Sequence, residues 1–247
     1  MEWTDNFFGK YYLKTHFPVL TEDKNKQQVD FITNVLALPE KANILDAPCG
    51  HGRHSILLAK QGFEVTGIDF KEEFIDIAKE NSKELNNTNF ILQDIRKINF
   101  EEKFDAIINM FTSFGYFSDK ENLELLQSYI KALKKGGKLL IDVINREWAV
   151  KNIGKISRSW LVYPEDNITF LASNSFDIFT GRMRSEQIIM ENFVKFEQFQ
   201  DIRLYSYTEL KTLLGLCGAI ITESYGNFEY ESYNMNSDNM IIIAEKL

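Results

Sequence analysis

The chain has little of what staples, kinks or ligates: 2 cysteines, 4 prolines and 3 histidines in 247 residues. Cys49 and Cys217 lie far apart, which gives no disulfide framework and suits a reducing, cytoplasmic setting. Proline is too scarce for a Pro-rich linker, and neither an internal repeat nor a low-complexity tract is present. His51 and His54 have no metal-ligand cluster around them in sequence, so no metal is expected. Apolar runs such as Met240–Ala244 are strand-sized and fall short of the ~18 residues of a membrane span. Glu2 and Asp5 stand where an export signal would carry basic residues. Positive charge is also short: 28 Lys and Arg against 36 Asp and Glu leave a net charge of −8. That balance argues against nucleic acid, whose phosphates attract clustered cations. Lys131, Lys134, Lys135 and Lys138 do cluster, but cations are expected at a helix C-terminus in any case.

What remains is the composition of an ordinary folded domain, 44% hydrophobic and 26% charged. A chain of this length buries roughly 70–75% of its unfolded surface, so it needs no covalent staple. Val29, Ile32, Val35 and Leu36 recur at helical spacing until Pro39. Short apolar runs then alternate with amphipathic stretches. Strands are expected at Ala42–Leu45, Glu64–Ile68, Phe90–Leu92, Asp105–Met110 and Lys138–Ile144. Helices are expected at Ser55–Lys60, Phe74–Leu85 and Asn122–Leu133. This rhythm predicts a parallel sheet with helices on both faces. Ile168–Leu204 breaks it and reads as about three antiparallel strands, with turns at Thr180-Gly181 and Glu191-Asn192. A helix at Tyr207–Leu216 and strands at Ala219–Ser224 and Asn239–Glu245 complete the plan. The expected organisation is one domain over 1–247, with an N-terminal helical cover over 1–40 and an antiparallel β insert over 151–205.

The stretch that carries chemistry runs Ile44-Leu45-Asp46-Ala47-Pro48-Cys49-Gly50-His51-Gly52-Arg53-His54. A strand ends in an acid, a small-residue loop follows, and a helix begins. Gly50 and Gly52 allow a ligand to approach the backbone, and the helix start offers unpaired N–H donors. A dinucleotide fingerprint, G-x-G-x-x-G/A, fits in part, with Ser55 at the third small position. Asp46, however, would set a carboxylate beside a pyrophosphate. A cofactor with a positive end accounts better for an acid at that place.

Here the sequence resembles the class I S-adenosylmethionine-dependent methyltransferases, in a broad bacterial branch acting on small molecules. Their variant motif D-x-x-C-G-x-G-R-H matches Asp46 to His54, with Pro48 where many members have glycine. Asp69, in Gly67-Ile68-Asp69-Phe70, matches the family's ribose-binding acid. Asp94-Ile95 falls where the family contacts adenine. Asn109-Met110-Phe111 follows the fourth strand, and Lys134-Lys135-Gly136-Gly137-Lys138 precedes the fifth. Phe7-Phe8-Gly9 and the turn Asp177-Ile178-Phe179-Thr180-Gly181-Arg182 also resemble that branch. The specific match spans about Ala42–Asn145.

The resemblance implies an α/β fold: a seven-stranded Rossmann-like methyltransferase sheet, parallel with one antiparallel strand, and a small antiparallel β insert after the fifth strand. It implies S-adenosylmethionine as cofactor, S-adenosylhomocysteine as product, and in-line methyl transfer to N or O of a small-molecule acceptor. The implied cofactor residues are Asp46, Ala47, Cys49, Gly50, Gly52, Arg53, Asp69, Phe70, Asp94, Ile95, Met110 and Phe111. Tyr11, Tyr12 and His16 are candidate bases or substrate anchors, and Phe114, Arg146, Trp160, Arg203 and Tyr233 candidate substrate contacts. Ligands of open α/β sheets bind beyond the carboxyl ends of the strands. A substrate chamber is therefore expected from Phe7–Phe17, the insert as a lid, and the Phe228–Tyr233 loop. Two other readings stay open: an NAD(P)-binding oxidoreductase, and a non-catalytic S-adenosylmethionine-binding module. The residues do not speak to oligomeric state.

Overall fold

The computed structural model describes residues 3–16, 20–163 and 167–247, without the side chains of His16 and Ile156. Two short helices, α1 (Trp3–Phe7) and α2 (Tyr12–His16), precede α3 (Glu22–Leu36). Thr21 caps α3 by accepting the Lys24 N–H, which satisfies one of the donors a helix start leaves open.

The central series is β1 (Asn43–Asp46), α4 (Arg53–Lys60), β2 (Glu64–Asp69), α5 (Glu72–Asn81), β3 (Thr88–Leu92), β4 (Phe104–Asn109), α6 (Asp119–Ala132) and β5 (Leu133–Ile144). Then come α7 (Arg146–Ile156), β6 (Arg158–Tyr163), β7 (Ile168–Asp177), β8 (Arg182–Glu191) and β9 (Val194–Arg203). The chain ends with α8 (Tyr207–Leu216), β10 (Ala219–Tyr225) and β11 (Asn239–Lys246).

The large sheet has seven strands in the order β10-β11-β5-β4-β1-β2-β3. Pairing is parallel from β5 to β3, while β11 runs antiparallel to both of its neighbours. Alternate side chains feed two cores, as the period of a pleated strand requires. Leu45, Ile107, Leu139 and Ile141 meet α6 and α8 on one face. Ile44, Ala106, Ile108 and Leu140 meet α3 and α4 on the other. Strand order reverses between β1 and β4, so the crevice beyond their carboxyl ends is where a ligand is expected.

The insert differs from expectation in one respect. It is a four-stranded antiparallel sheet, β6-β7-β8-β9, and helix α7 leads into it. The extra strand is β6, whose Trp160, Leu161 and Val162 are all exposed. Three consecutive apolar residues on an edge strand have no inside–outside alternation to read. The turns fall at 178–181 and 192–193, where Thr180-Gly181 and Glu191-Asn192 placed them.

The N-terminal helices bridge the two sheets. Phe7, Phe8 and Tyr12 pack with Phe70, Phe74 and Tyr116 of the large domain. On the other side, Tyr11 packs with Ile168, Phe170 and Ile189 of the insert. The bridge is tied by Lys10 and Lys14, both ion-paired with Glu191 at 2.7 Å, and by the Tyr163 hydroxyl donating to the Thr15 carbonyl. Hydrogen bonds from Lys10, Lys14 and the Tyr11 hydroxyl hold the Glu191 carboxyl down at about 2. Among the described residues, no helix is long and apolar enough to cross a membrane.

Candidate active site

The site grows from two strand ends. β1 stops at Asp46 and β2 at Asp69, and the loop 47–52 folds between them. The Cys49 N–H donates to the Ile68 carbonyl at 2.8 Å. The Gly50 N–H donates to Asp69 Oδ2 at 2.9 Å, and the Lys71 N–H to Asp69 Oδ1 at 3.0 Å. One carboxylate thus fixes both the glycine loop and the entry to α5, while each oxygen keeps a further lone pair.

Gly50 and Gly52 are required for different reasons. Both are left-handed, at φ 54° and 81°. A Cβ on Gly52 would lie 2.9 Å from Ala78 Cβ and 3.0 Å from the Phe90 ring, whereas one on Gly50 would meet nothing within 4 Å. Gly52 lets α4 settle on α5 and β3; Gly50 leaves open space for a ligand.

A cavity of about 600 Å³ lies above these strand ends. Of the residues expected from sequence, it is lined by Tyr12, Cys49, Gly50, Arg53, Asp69, Phe70, Asp94, Ile95, Met110 and Phe111. Asp46, Ala47 and Gly52 lie outside its lining, at the base of the loop. The Ala47 carbonyl accepts from the Tyr129 hydroxyl at 2.7 Å and from Asn109 Nδ2 at 2.9 Å, which pins the loop from below. Phe111 and Thr112 follow β4 with φ of 59° and 56°. Two successive non-glycine residues there are strained by roughly 1–3 kcal/mol each. Asp142 holds them, its Oδ2 accepting the Phe111 N–H and its carbonyl the Thr112 N–H.

Other expected contacts are not brought to the cavity. Phe114 is buried in the core against Tyr205. Arg146 pairs with Glu209 at 2.7 Å, and Arg203 pairs with Glu209 and Asp119. Tyr233 stacks on Tyr207 and donates to Asn145 and Glu147. Trp160 is 70% exposed on β6. Tyr11 turns to the insert, its hydroxyl donating to Glu191. The 228–233 loop closes over α3 instead, with Phe228 and Tyr230 against Phe31. The common cause is pairing: each long polar side chain found a nearer partner than the cavity. His16 closes α2 with its side chain outside the described residues, and Phe17 lies outside them altogether.

Phe8 lines the cavity, as the expected Phe7–Phe17 chamber segment has it, whereas sequence reasoning missed Thr4, Asp5, His51, Gln93, Ser113, Tyr116 and Phe117, all of which also line it. His51 sits between the two glycines, so position was a usable signal for it. Tyr116 and Phe117 come from an irregular loop with no period to read.

The electrostatics are those of buried acids. Asp46 is buried; its Oδ2 accepts from Ser55 at 2.6 Å, while Oδ1 has no partner among the described residues. Burial pushes its carboxyl up to about 7. Burial likewise pushes Asp69 and Asp142 up to about 6. Asp94 differs: burial opposes ionisation, yet the bidentate Arg96 guanidinium holds its carboxyl below the ordinary range. Burial and the nearby Arg53 push His51 down to about 4, so its imidazole is neutral at pH 7. Burial pushes the Tyr12 phenol up to about 12 and the Tyr116 phenol higher still. At neutral pH both are hydrogen-bonding phenols, so Tyr12 is no base. Arg53 is steadied by Asn25 and Gln28 at 2.6 Å each, with its guanidinium 5.3 Å from the Phe111 ring centre.

These values give a pH dependence. For Asp46, Asp69 and Asp142 the folded-state value lies above the unfolded one near 4, so each destabilises the fold as it ionises. Stability of the ligand-free protein is therefore expected to fall as pH rises from about 4 to 7, by about 4 kcal/mol for Asp46 alone. Glu191 and Glu209, pushed down to about 2, act in the opposite sense, but only below about 4.5. Melting temperatures between pH 5 and 7.5 check this, and Asp46→Asn should flatten the decline. A steady rise over that range would refute it.

The residues present fit S-adenosylmethionine. Asp69 has lone pairs left for ribose hydroxyls, Gly50 leaves a cradle that a side chain would fill, and Asp46, buried at the base of the loop, would favour a cofactor that carries positive charge. A pyrophosphate would instead face the buried Asp69 carboxylate, with Asp46 and Asp142 buried behind the cavity wall.

The comparisons with known proteins agree. A methyltransferase-domain family matches residues 44–137. YqeM of Bacillus subtilis (strain 168), provisionally named a methyltransferase, is 29% identical over 85% of this chain and 86% of its own. A solved S-adenosylmethionine-dependent methyltransferase from Clostridium acetobutylicum ATCC 824 superposes with a TM-score of 0.79 at 18% identity, covering 98% of this chain and 99% of that one. CalS10 from Micromonospora echinaspora, described as an amino pentose methyltransferase, superposes with a TM-score of 0.70 at 16% identity, covering 97% and 98%. With the acid–glycine loop, Asp69 and the seven-stranded sheet in place, the chain carries a methyltransferase domain over residues 44–137, on the fold of the S-adenosylmethionine-dependent methyltransferases.

Proposed function

We propose that the protein methylates N or O of a small-molecule acceptor held under the N-terminal cover. The observation that carries this reading is the two-part cavity. Its floor is the glycine loop and Asp69, and its wall is the aromatic set Phe8, Tyr12, Phe70, Tyr116 and Phe117. When bound, S-adenosylmethionine supplies a methyl group already activated on sulfonium. The protein's work is then to hold and orient. Asp69, Gly50 and Arg53 are the groups that would hold the cofactor, with Asp46 acting electrostatically from beneath. The aromatic wall excludes water and offers π-faces to positive charge, worth roughly 0.5–2 kcal/mol where desolvated. In-line placement of an acceptor lone pair supplies the largest share of the acceleration, about 7–11 kcal/mol in favourable cases. His51, whose imidazole is neutral at pH 7, lines the cavity beside the glycine loop.

In this reading the insert works as a lid at one remove. Among the described residues, none of its side chains lines the cavity; it backs α1 and α2, which do. The likeness to CalS10 supports a small acceptor, and the net charge of −8 weighs against nucleic acid.

The test is a panel of small amines, hydroxylated compounds and tRNA incubated with S-adenosylmethionine, read by mass spectrometry. The expected result is a mass gain of one methyl on a small amine or hydroxyl compound, with equimolar S-adenosylhomocysteine. Methylation of tRNA alone would overturn the small-molecule reading. NADH titrated alongside should leave tryptophan fluorescence unchanged; tight NADH binding with none to S-adenosylhomocysteine would favour the oxidoreductase reading.

A further inference from the structure

The turn Asp177–Arg182 lies far from the glycine loop in sequence, and the cavity does not include it. Its hydrogen bonds point elsewhere. Asp177 Oδ1 accepts the Phe179 N–H at 2.8 Å, and its carbonyl accepts the Gly181 N–H at 2.8 Å. Gly181 is left-handed, at φ 67°, and delivers the chain into β8 at Arg182. The Arg182 guanidinium then reaches out of the insert. Nη1 donates to the Phe117 carbonyl at 3.0 Å and Nη2 to the Tyr116 carbonyl at 3.4 Å. The same guanidinium is oriented by Asp201 of β9, whose carboxylate and carbonyl both accept from it.

A second tie runs alongside. The Arg203 N–H donates to the Gly115 carbonyl at 2.8 Å, and the Leu204 N–H to the Gly181 carbonyl at 2.9 Å. Gly115 is at φ 105°, and a Cβ there would come within 2.2 Å of the Arg203 carbonyl oxygen. The insert and the segment 111–117 are therefore in backbone contact. Phe111, Ser113, Tyr116 and Phe117 of that segment line the cavity.

We infer that Arg182 is a positioning residue, which latches the insert onto the 111–117 segment so that the cavity wall takes its shape only while the insert is docked. The inference deepens the lid reading of the insert and rests on it. An arginine suits the task because its planar fork can serve two adjacent carbonyls and a carboxylate together, which a lysine ammonium cannot do in fixed geometry. Since two successive left-handed residues, Phe111 and Thr112, open the segment, its native shape needs such external restraint. A ligand that binds the docked state then feels the latch as coupling between distant groups.

The experiment compares full-length wild type with Arg182→Met, Arg182→Lys, Asp201→Asn and Arg184→Met. S-adenosylhomocysteine binding is read by calorimetry, and backbone exchange by mass spectrometry. Arg182→Met should weaken binding about tenfold, in the ordinary range for coupled sites, and speed exchange in 111–118. Arg182→Lys should recover little of it. Asp201→Asn, the milder change, should fall between, which keeps the test open if Arg182→Met fails to fold. Arg184→Met should match wild type, since Arg184 stacks on Phe199 at 4.1 Å and touches neither carbonyl. Wild-type affinity and exchange in both Arg182→Met and Asp201→Asn would overturn the latch. The lid reading fails separately: S-adenosylhomocysteine would then protect 111–118 in wild type and leave the N-terminal cover and insert unchanged.

Discussion

Replacing Asp69 with alanine is expected to weaken S-adenosylhomocysteine binding by about 1.5–3 kcal/mol, the value of hydrogen bonds to a charged group, or roughly tenfold to a hundredfold. Two losses combine. The ribose hydroxyls lose their anionic acceptor, and the Gly50 and Lys71 N–H groups lose theirs as well. Asp69→Asn separates them, because an amide keeps one acceptor oxygen while removing the charge. If loop order dominates, asparagine should restore most of the affinity; if charge dominates, it should resemble alanine. Burial already pushes Asp69 up to about 6, so removing its charge also relieves a desolvation cost. The alanine protein should therefore melt close to wild type while binding poorly. Calorimetry and a thermal melt, run together, read both quantities. Unchanged affinity would move the ribose site elsewhere.

The second large effect belongs to the glycine loop. Gly52→Ala should destabilise the fold by about 2–5 kcal/mol, from left-handed strain of about 1–2 kcal/mol and overpacking of about 1–3 kcal/mol. The new methyl would press on Ala78 and Phe90, which hold α5 and β3 in place. Gly50→Ala should behave differently. Its methyl meets no atom of the described residues within 4 Å, so only the backbone term applies and the melting temperature should move less. Affinity for S-adenosylhomocysteine should suffer more, because the methyl occupies the ligand's space. The ordering is the test: stability loss larger at Gly52, affinity loss relative to stability larger at Gly50. Equal effects on both measures would mean that the loop responds as one strained unit.

How much of this was legible in sequence depended on the range of the interaction. Asp46, Gly50, Gly52 and Asp69 were readable because a strand end, a tight loop and a helix start are all local. Asp94 was readable as a position, yet its carboxylate is taken up by Arg96. The substrate candidates fared differently. Arg146, Arg203 and Tyr233 were named from their place after strand ends, and each is held by a partner such as Glu209 or Asn145. Tyr11 and Tyr12 are adjacent in the chain, but the turn between α1 and α2 sends one to the insert and the other to the cavity.

The sequence by itself determined that the chain carries few cysteines and prolines, a surplus of acid and an acid–glycine loop between a strand and a helix. The alternation of apolar runs with amphipathic stretches predicts the parallel sheet, and the resemblance carried by the loop and Asp69 implies the cofactor class. Hydrophobic period and loop stereochemistry act over a few residues, so they survive in the linear order. Only the tertiary structure decided that those acids are buried far enough to raise their proton affinity. It also decided that the 228–233 loop covers α3, and that the Asp177–Arg182 turn grips the carbonyls of Tyr116 and Phe117. Burial and long-range pairing depend on which surfaces the packed sheets bring together, and that is a property of the whole fold.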